Sequence, residues 1–131
     1  MPAGLLTWFL CFGLSAAAFA HHSFAMFDMQ QDLKLHGVVK SFSWESPHSW
    51  LQVLVKNSSG TSVEWSIEMG APGMLYKRGL NATSVKPGDA LFVVVHPLRD
   101  GRAGGSLVSV VLADGRKLQM GGGAGSPAPA K

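Results

Sequence analysis

The sequence is nearly free of cysteine, and this limits what can stabilise the protein or carry out its chemistry. The one cysteine, Cys11, lies in an apolar segment that we expect to be removed during export. The mature chain then has no disulfide and no thiolate ligand, so its stability must come from its core. The sequence also has no Gly-x-Ser-x-Gly, no phosphate-binding loop and no His-Glu-x-x-His. The common nucleophile, nucleotide and zinc-protease motifs are therefore excluded.

Charge is sparse, and no charged side chain precedes Asp28. The net charge is +3 with neutral histidines, and the excess of basic residues is spread along the chain. No basic run with interleaved aromatic residues is present, so nucleic acid is not a predicted partner.

The one long apolar stretch, from Leu5 to Ala20, has the features of an export signal. It is too short for a membrane span of roughly 20 residues. The small residues Ala18 and Ala20 stand where signal peptidase requires them, so cleavage is expected after Ala20. We therefore predict a signal peptide over 1–20, a mature chain that starts at His21, a periplasmic or secreted location, and no membrane span after processing.

Alternation of apolar and polar residues predicts an all-β domain with one short helix over 21–120. Gly121 to Lys131 is rich in Gly, Ala and Pro and is predicted to be a disordered tail. Gly37 lies inside the first strand and suggests a bulge or a bend. The predicted strands are 33–44, 48–56, 62–69, 90–95, 106–113 and a short 116–120, with the helix at 74–78. Three strands, a helix and two more strands is the element order of a small five-stranded OB-like barrel; an open β-sandwich is the alternative.

Cleavage after Ala20 would make His21 the N-terminal residue and so a candidate metal ligand. A free α-amine and the imidazole Nδ1 of the same residue can close a chelate ring around one metal ion. With one further histidine they form a T-shaped set of three nitrogens that suits Cu(II). An internal histidine has no such capacity, because its backbone nitrogen is an amide.

The remaining histidines supply candidate further ligands, since neutral imidazole is a common ligand of copper and zinc. His22 follows His21 directly. His48 ends the loop after the first strand and His96 begins the loop after the fourth, and in an OB-like barrel these loops flank the usual binding face. His36 lies in mid-strand and is expected to face solvent.

A second group of candidate residues contains carboxylates and tryptophans. Glu64 and Glu68 share one strand face, and four residues along a strand separate them by roughly 13 Å. That is too far for a paired acid/base site of the glycosidase kind, but the two carboxylates favour a cation or a basic peptide. Trp44 and Trp50 bracket a loop and are candidates for an aromatic binding site. Arg99, in a Gly-rich loop, is a candidate contact for an anionic ligand.

The segment from His21 to Asp28, His-His-Ser-Phe-Ala-Met-Phe-Asp, resembles the opening of a family of small exported bacterial proteins of unknown function. Weaker similarities are Leu35-His36-Gly37-Val38-Val39, Ser46-Pro47-His48-Ser49-Trp50, Trp65-Ser66-Ile67-Glu68 and Lys86-Pro87-Gly88-Asp89. The resemblance covers roughly 21–119. It implies an exported, single-domain, small β protein, and it carries no activity with it.

These observations predict a binding module and not an enzyme. The leading hypothesis is an exported module that binds a transition metal, copper first, through His21, with His22, His48 and His96 as further ligands. The alternative is a metal-independent module that binds a small ligand or an exported protein on the Trp44/Trp50 loop face. A copper-dependent oxidase that uses the same nitrogen site is the third hypothesis.

Overall fold

A computed structural model describes residues 22–120, and its elements follow the predicted order. A single helical turn, α1 (His22–Ala25), precedes the first strand. The strands are β1 (Leu33–Ser43), β2 (Trp50–Lys56), β3 (Ser62–Glu68), β4 (Ala90–Pro97), β5 (Gly104–Val111) and β6 (Lys117–Gln119), with α2 (Pro72–Lys77) after β3. The predicted signal peptide (1–20), His21 and the predicted tail (121–131) lie outside the described residues.

The five longer strands close into a barrel. β1 pairs antiparallel with both β2 and β4, β2 pairs with β3, and β4 pairs with β5. A parallel pairing of β3 with β5 completes the ring. The short β6 pairs antiparallel with the last residues of β5. The predicted OB-like barrel is therefore confirmed, and the alternative open sandwich is not adopted.

The core is formed by side chains that alternate with solvent-facing ones along each strand, as the pleat of a strand requires. Within the barrel, Leu51 and Val53 of β2, Ile67 of β3, and Val93 and Val95 of β4 are almost fully buried. Leu75 from α2 joins the same cluster, so the short helix packs against the core. Because these inward positions hold the fold, the outward positions are available for binding chemistry.

Gly37 has a different role from the one its position suggests. The irregularity in β1 falls between Val39 and Ser41, and Gly37 itself stays in register with both β2 and β4. A Cβ on Gly37 would lie 2.5 Å from the Val53 side chain and 2.6 Å from the backbone oxygen of Leu54. Glycine is needed here because β1 approaches β2 closely, whereas the predicted bulge or bend is formed two residues later.

The segment before β1 is anchored to the end of β4. Phe27 is 3% exposed and forms an isolated bridge with Leu98. The Asp28 amide donates to the Pro97 oxygen at 2.8 Å, and the Arg99 amide donates to the Met26 oxygen at 2.9 Å. The start of the described chain therefore lies against β4 and the loop that follows it. Neither helix of residues 22–120 has the length and apolar character needed to span a bilayer.

Candidate functional site

The outer face of β2 and β3 carries a row of polar and aromatic side chains. Trp50 is the cross-strand partner of Glu68, and Gln52 is the partner of Ser66. Partners in an antiparallel pair have Cβ atoms about 5 Å apart on the same face. The Gln52 amide nitrogen donates to Ser66 Oγ at 3.0 Å. We call these four residues, together with His48, the β2–β3 face.

His48 approaches this face from the loop between β1 and β2. Its Nδ1 lies 3.2 Å from Glu68 Oε1 and 3.3 Å from the Met69 backbone oxygen. A carbonyl oxygen only accepts hydrogen bonds, so this contact requires a proton on Nδ1, and in the neutral ring the lone pair is then on Nε2. The Glu68 contact uses Oε1, and the second carboxylate oxygen has acceptor capacity of its own.

Glu68 is an unusually buried carboxylate for an outward position. Its side chain is 13% exposed, and burial raises its pKa above the ordinary value, while the nearby His48 acts in the opposite direction. Loss of water around a carboxylate disfavours its charged form. A cation that replaced the lost water would therefore be bound more strongly here than at a fully hydrated surface carboxylate.

The loop that carries His48 is held by hydrogen bonds at its base. Ser49 is fully buried, and its hydroxyl lies 3.3 Å from the Glu45 backbone oxygen. The Ser49 amide donates to the Gly70 oxygen at 3.2 Å, and its carbonyl accepts from the Met69 amide at 2.9 Å. These bonds tie the loop to the end of β3 and fix His48 beside Glu68.

Two other predicted ligand contacts have partners within the fold. Glu64 forms an ion pair with Lys40 at 2.5 Å on the exposed surface. Trp44 packs against the core and meets Phe42 edge-to-face, with ring centroids 5.9 Å apart. Of the two predicted tryptophans, Trp50 is the one that lies on the β2–β3 face.

Arg99 lies at the anchored start of the chain. Its guanidinium is 3.9 Å from the Asp28 carboxylate, and both side chains are substantially exposed. An exposed pair at this distance contributes at most a few tenths of a kcal/mol. The backbone of Arg99 contributes more to the structure here, because its amide binds the Met26 oxygen.

His96 lies on β4 and faces the segment before β1. Its Nδ1 is 3.0 Å from the Gln31 backbone oxygen and 3.3 Å from Asp32 Oδ1, and its side chain is 12% exposed. The arrangement resembles that of His48, with a carbonyl and a carboxylate at Nδ1. Such contacts commonly orient histidines that bind metal through Nε2.

The described residues do not bring the predicted metal ligands into one cluster. His48 and His96 bind different partners, and among the side chains that the structure describes, from residue 24 to residue 120, no three of His, Cys, Asp or Glu are placed to hold one ion. His22 is described by its backbone alone, in α1. The copper site at His21 therefore stays a prediction.

Two features of the site were not predicted from the sequence. The contact of His48 with Glu68 joins a loop residue to a strand residue 20 positions further along the chain. It forms because the loop before β2 lies against the end of β3. The anchoring of Phe27 to Leu98 joins residues from opposite ends of the domain. The sequence does contain a signal for the Phe27 contact, because Phe27 is a large apolar residue in an otherwise irregular segment.

Comparison with known proteins places this chain in a family. Residues 10–108 match the family of unknown function DUF6152. The match covers most of the chain, so the protein belongs to this family. The predicted resemblance to an uncharacterised family is thereby confirmed, while export and the His-His-Ser-Phe opening stay predictions. No curated protein and no solved structure matches the chain.

Proposed function

We propose that this DUF6152 member is an exported binding module that holds an organic cation on its β2–β3 face. The single observation that carries the proposal is the largely buried Glu68 carboxylate, on the residue that pairs across the strands with Trp50 on a closed barrel. The ammonium group of an amine or of a basic side chain is the ligand class that such a pair suits.

The two groups act on the same cation in different ways. The Glu68 carboxylate supplies opposite charge in a partly dehydrated place, where charges interact more strongly than in bulk water. The Trp50 indole attracts a cation to its ring face, which is worth about 0.5–2 kcal/mol depending on how much water is excluded. His48 orients the carboxylate, and Gln52 and Ser66 continue the polar surface next to it.

The proposal is tested with 2-naphthylmethylammonium as the probe, titrated into the protein by calorimetry. We expect Glu68→Gln and Trp50→Leu each to weaken binding by about tenfold, which corresponds to about 1.4 kcal/mol. Trp50→Leu keeps an apolar side chain and removes the aromatic face, so it separates the attraction of the ring from simple burial.

Glu64→Gln is the matched control, because it removes a carboxylate from the same strand. Glu64 is paired with Lys40 and lies opposite Leu54, one same-face cross-strand pair beyond Ser66. Since it is roughly 13 Å along the strand from Glu68, binding should change less than twofold. Equal losses from Glu64→Gln and Glu68→Gln would mean that general negative charge attracts the probe, and the proposal would fail.

Copper binding through the mature N-terminus is a second candidate function. It is favoured by the anchoring of the chain start on the end of β4, close to a histidine whose Nδ1 is already engaged. When His96 Nδ1 donates its proton to the Gln31 oxygen, the Nε2 atom of the neutral ring has the lone pair that a metal needs.

The copper hypothesis is tested by titrating Cu(II) into two forms of the protein. One form begins at His21, and the other has one extra Met before it. Submicromolar binding of one ion by the first form only would support the site, and His96→Gln should weaken it while the control His36→Gln should not. Equal, weak binding by both forms would contradict it.

A further inference from the structure

A shallow groove runs across the outside of β1, β4, β5 and β6, on strands that the β2–β3 face does not use. Its volume is about 340 Å³, which falls within the range of small-molecule sites. The strand registers place His36, Phe92, Val111 and Lys117 in one row across the four strands. Lys34, Val94 and Ser109 form the next row.

The charge of this groove is of one sign. Lys34 stands at its β1 side and Lys117 at its β6 side, and the rows place them roughly 15 Å apart at the backbone. No aspartate or glutamate in the described part of the chain lines the groove. Lysine side chains reach several ångströms from the backbone, so both ammonium groups can approach a ligand that lies between them.

The surface between the two lysines is apolar and partly aromatic. Val94 and Val111 form its floor. Phe92 is 59% exposed, and its ring stacks on His36 with centroids 4.2 Å apart and an angle of 19° between the planes. An exposed aromatic ring with one face covered by a neighbouring ring offers its other face to a further flat ring.

We propose that this groove, which we call the basic groove, binds a small aromatic anion. The ring of the ligand lies on the valine floor against Phe92, and its carboxylate or sulfonate group is held by Lys34 or Lys117. Charge complementarity and the flat apolar floor together select this ligand class over a neutral or a cationic one. The site is separate from the β2–β3 face, and the inference does not depend on the function proposed there.

The basic groove is tested with 2-naphthoate and its neutral isostere 2-naphthamide, using the folded mature protein and amide chemical shifts measured by NMR. We expect 2-naphthoate to shift the signals of residues on both rows. The affinity of the wild type for 2-naphthamide should be about tenfold or more below its affinity for 2-naphthoate. Phe92→Ala and the double variant Lys34→Glu/Lys117→Glu should each lower the affinity for 2-naphthoate by a similar factor.

Matched control variants exist elsewhere on the surface. Tyr76 is 70% exposed on α2, so Tyr76→Ala removes an equally accessible ring. Lys77→Glu/Lys86→Glu makes the same change in net charge at exposed positions away from the groove. Both controls should leave the affinity for 2-naphthoate within twofold.

Three results would overturn the inference. One is the absence of shifts at the groove with 2-naphthoate at millimolar concentration. Another is equal affinity for naphthoate and naphthamide, since the lysines would then contribute nothing. The third is a concentration-dependent dimer that Phe92→Ala abolishes, because a second copy of the chain would then be the occupant.

Discussion

The β2–β3 face and the basic groove lie on the outside of the same barrel and carry opposite charge. The first has Glu68 beside Trp50, and the second has Lys34 and Lys117 beside Phe92. Each combines one aromatic ring with groups of one sign, so the two places suit ligands of opposite charge. The comparison shows that the inward residues of the strands define the barrel and leave the outward residues of different strands free to carry different chemistry.

The largest effect on stability should come from a change inside the barrel that carries both surfaces. Gly37→Ala places a methyl group 2.5 Å from Val53 and 2.6 Å from the Leu54 oxygen, and backbone cannot give way as a flexible side chain can. We expect a loss of about 3 kcal/mol in the free energy of unfolding, at the upper end for overpacking, measured by urea denaturation. Gly73→Ala is the control, because nothing lies within 4 Å of its Cβ and alanine favours a helix. Equal stability of the two variants would mean that β1 is not packed closely on β2 at this position.

A change at the anchored chain start should lower the stability of the fold and leave binding at both surfaces intact. Phe27→Ala removes a buried ring at the edge of the domain, and we expect a loss of about 3 kcal/mol, at the lower end for such a truncation. Phe24→Ala, at an exposed position of the same segment, should cost far less. Binding of the cationic and of the anionic probe should survive in the folded variant. Loss of either would show that the anchored segment contributes to that surface.

The burial of Glu68 predicts a pH dependence that distinguishes it from an ordinary surface carboxylate. Burial raises the pKa of Glu68 in the folded chain above its ordinary value of 4.5. The folded state then binds the proton more tightly than the unfolded state, so this contribution to stability is present at low pH and falls as pH rises through the interval above 4.5. The stability of the wild type relative to Glu68→Gln should therefore decline as the pH rises above the ordinary value of 4.5, measured by urea denaturation at each pH. A difference that increased with pH would contradict the burial of this carboxylate.

The smallest effect should come from the exposed ion pair beside the β2–β3 face. Lys40→Ala breaks the contact with Glu64, and both side chains are about half exposed. Such pairs contribute about 0.2–1 kcal/mol, so the thermal midpoint should move little and should depend on salt. A loss well above 1 kcal/mol would mean that this pair contributes more to stability than an exposed ion pair should.

The two surfaces also differ in how far they could be predicted from the sequence. β2 and β3 are consecutive and joined by a short hairpin, so the alternation of apolar and polar residues is enough to put Trp50 and Glu68 on outward faces of neighbouring strands. The basic groove combines β1, β4, β5 and β6, and its residues meet only when the barrel closes with a particular register. Lys34, Phe92 and Lys117 are single residues in separate strands, and none of them forms a motif. The contacts of His48 with Glu68 and of Phe27 with Leu98 could not be predicted for the same reason. Both join residues that are distant in the sequence and meet only in the folded barrel.

The most direct test is an NMR titration of the mature protein with two matched ligands, 2-naphthylmethylammonium and 2-naphthoate. They share one ring system and differ in the sign of their charge. The account predicts that the cation shifts signals around His48, Trp50 and Glu68, and that the anion shifts those around Lys34, Phe92 and Lys117. If both ligands shift the same residues, or if neither shifts either set, the assignment of opposite binding chemistry to the two surfaces is contradicted.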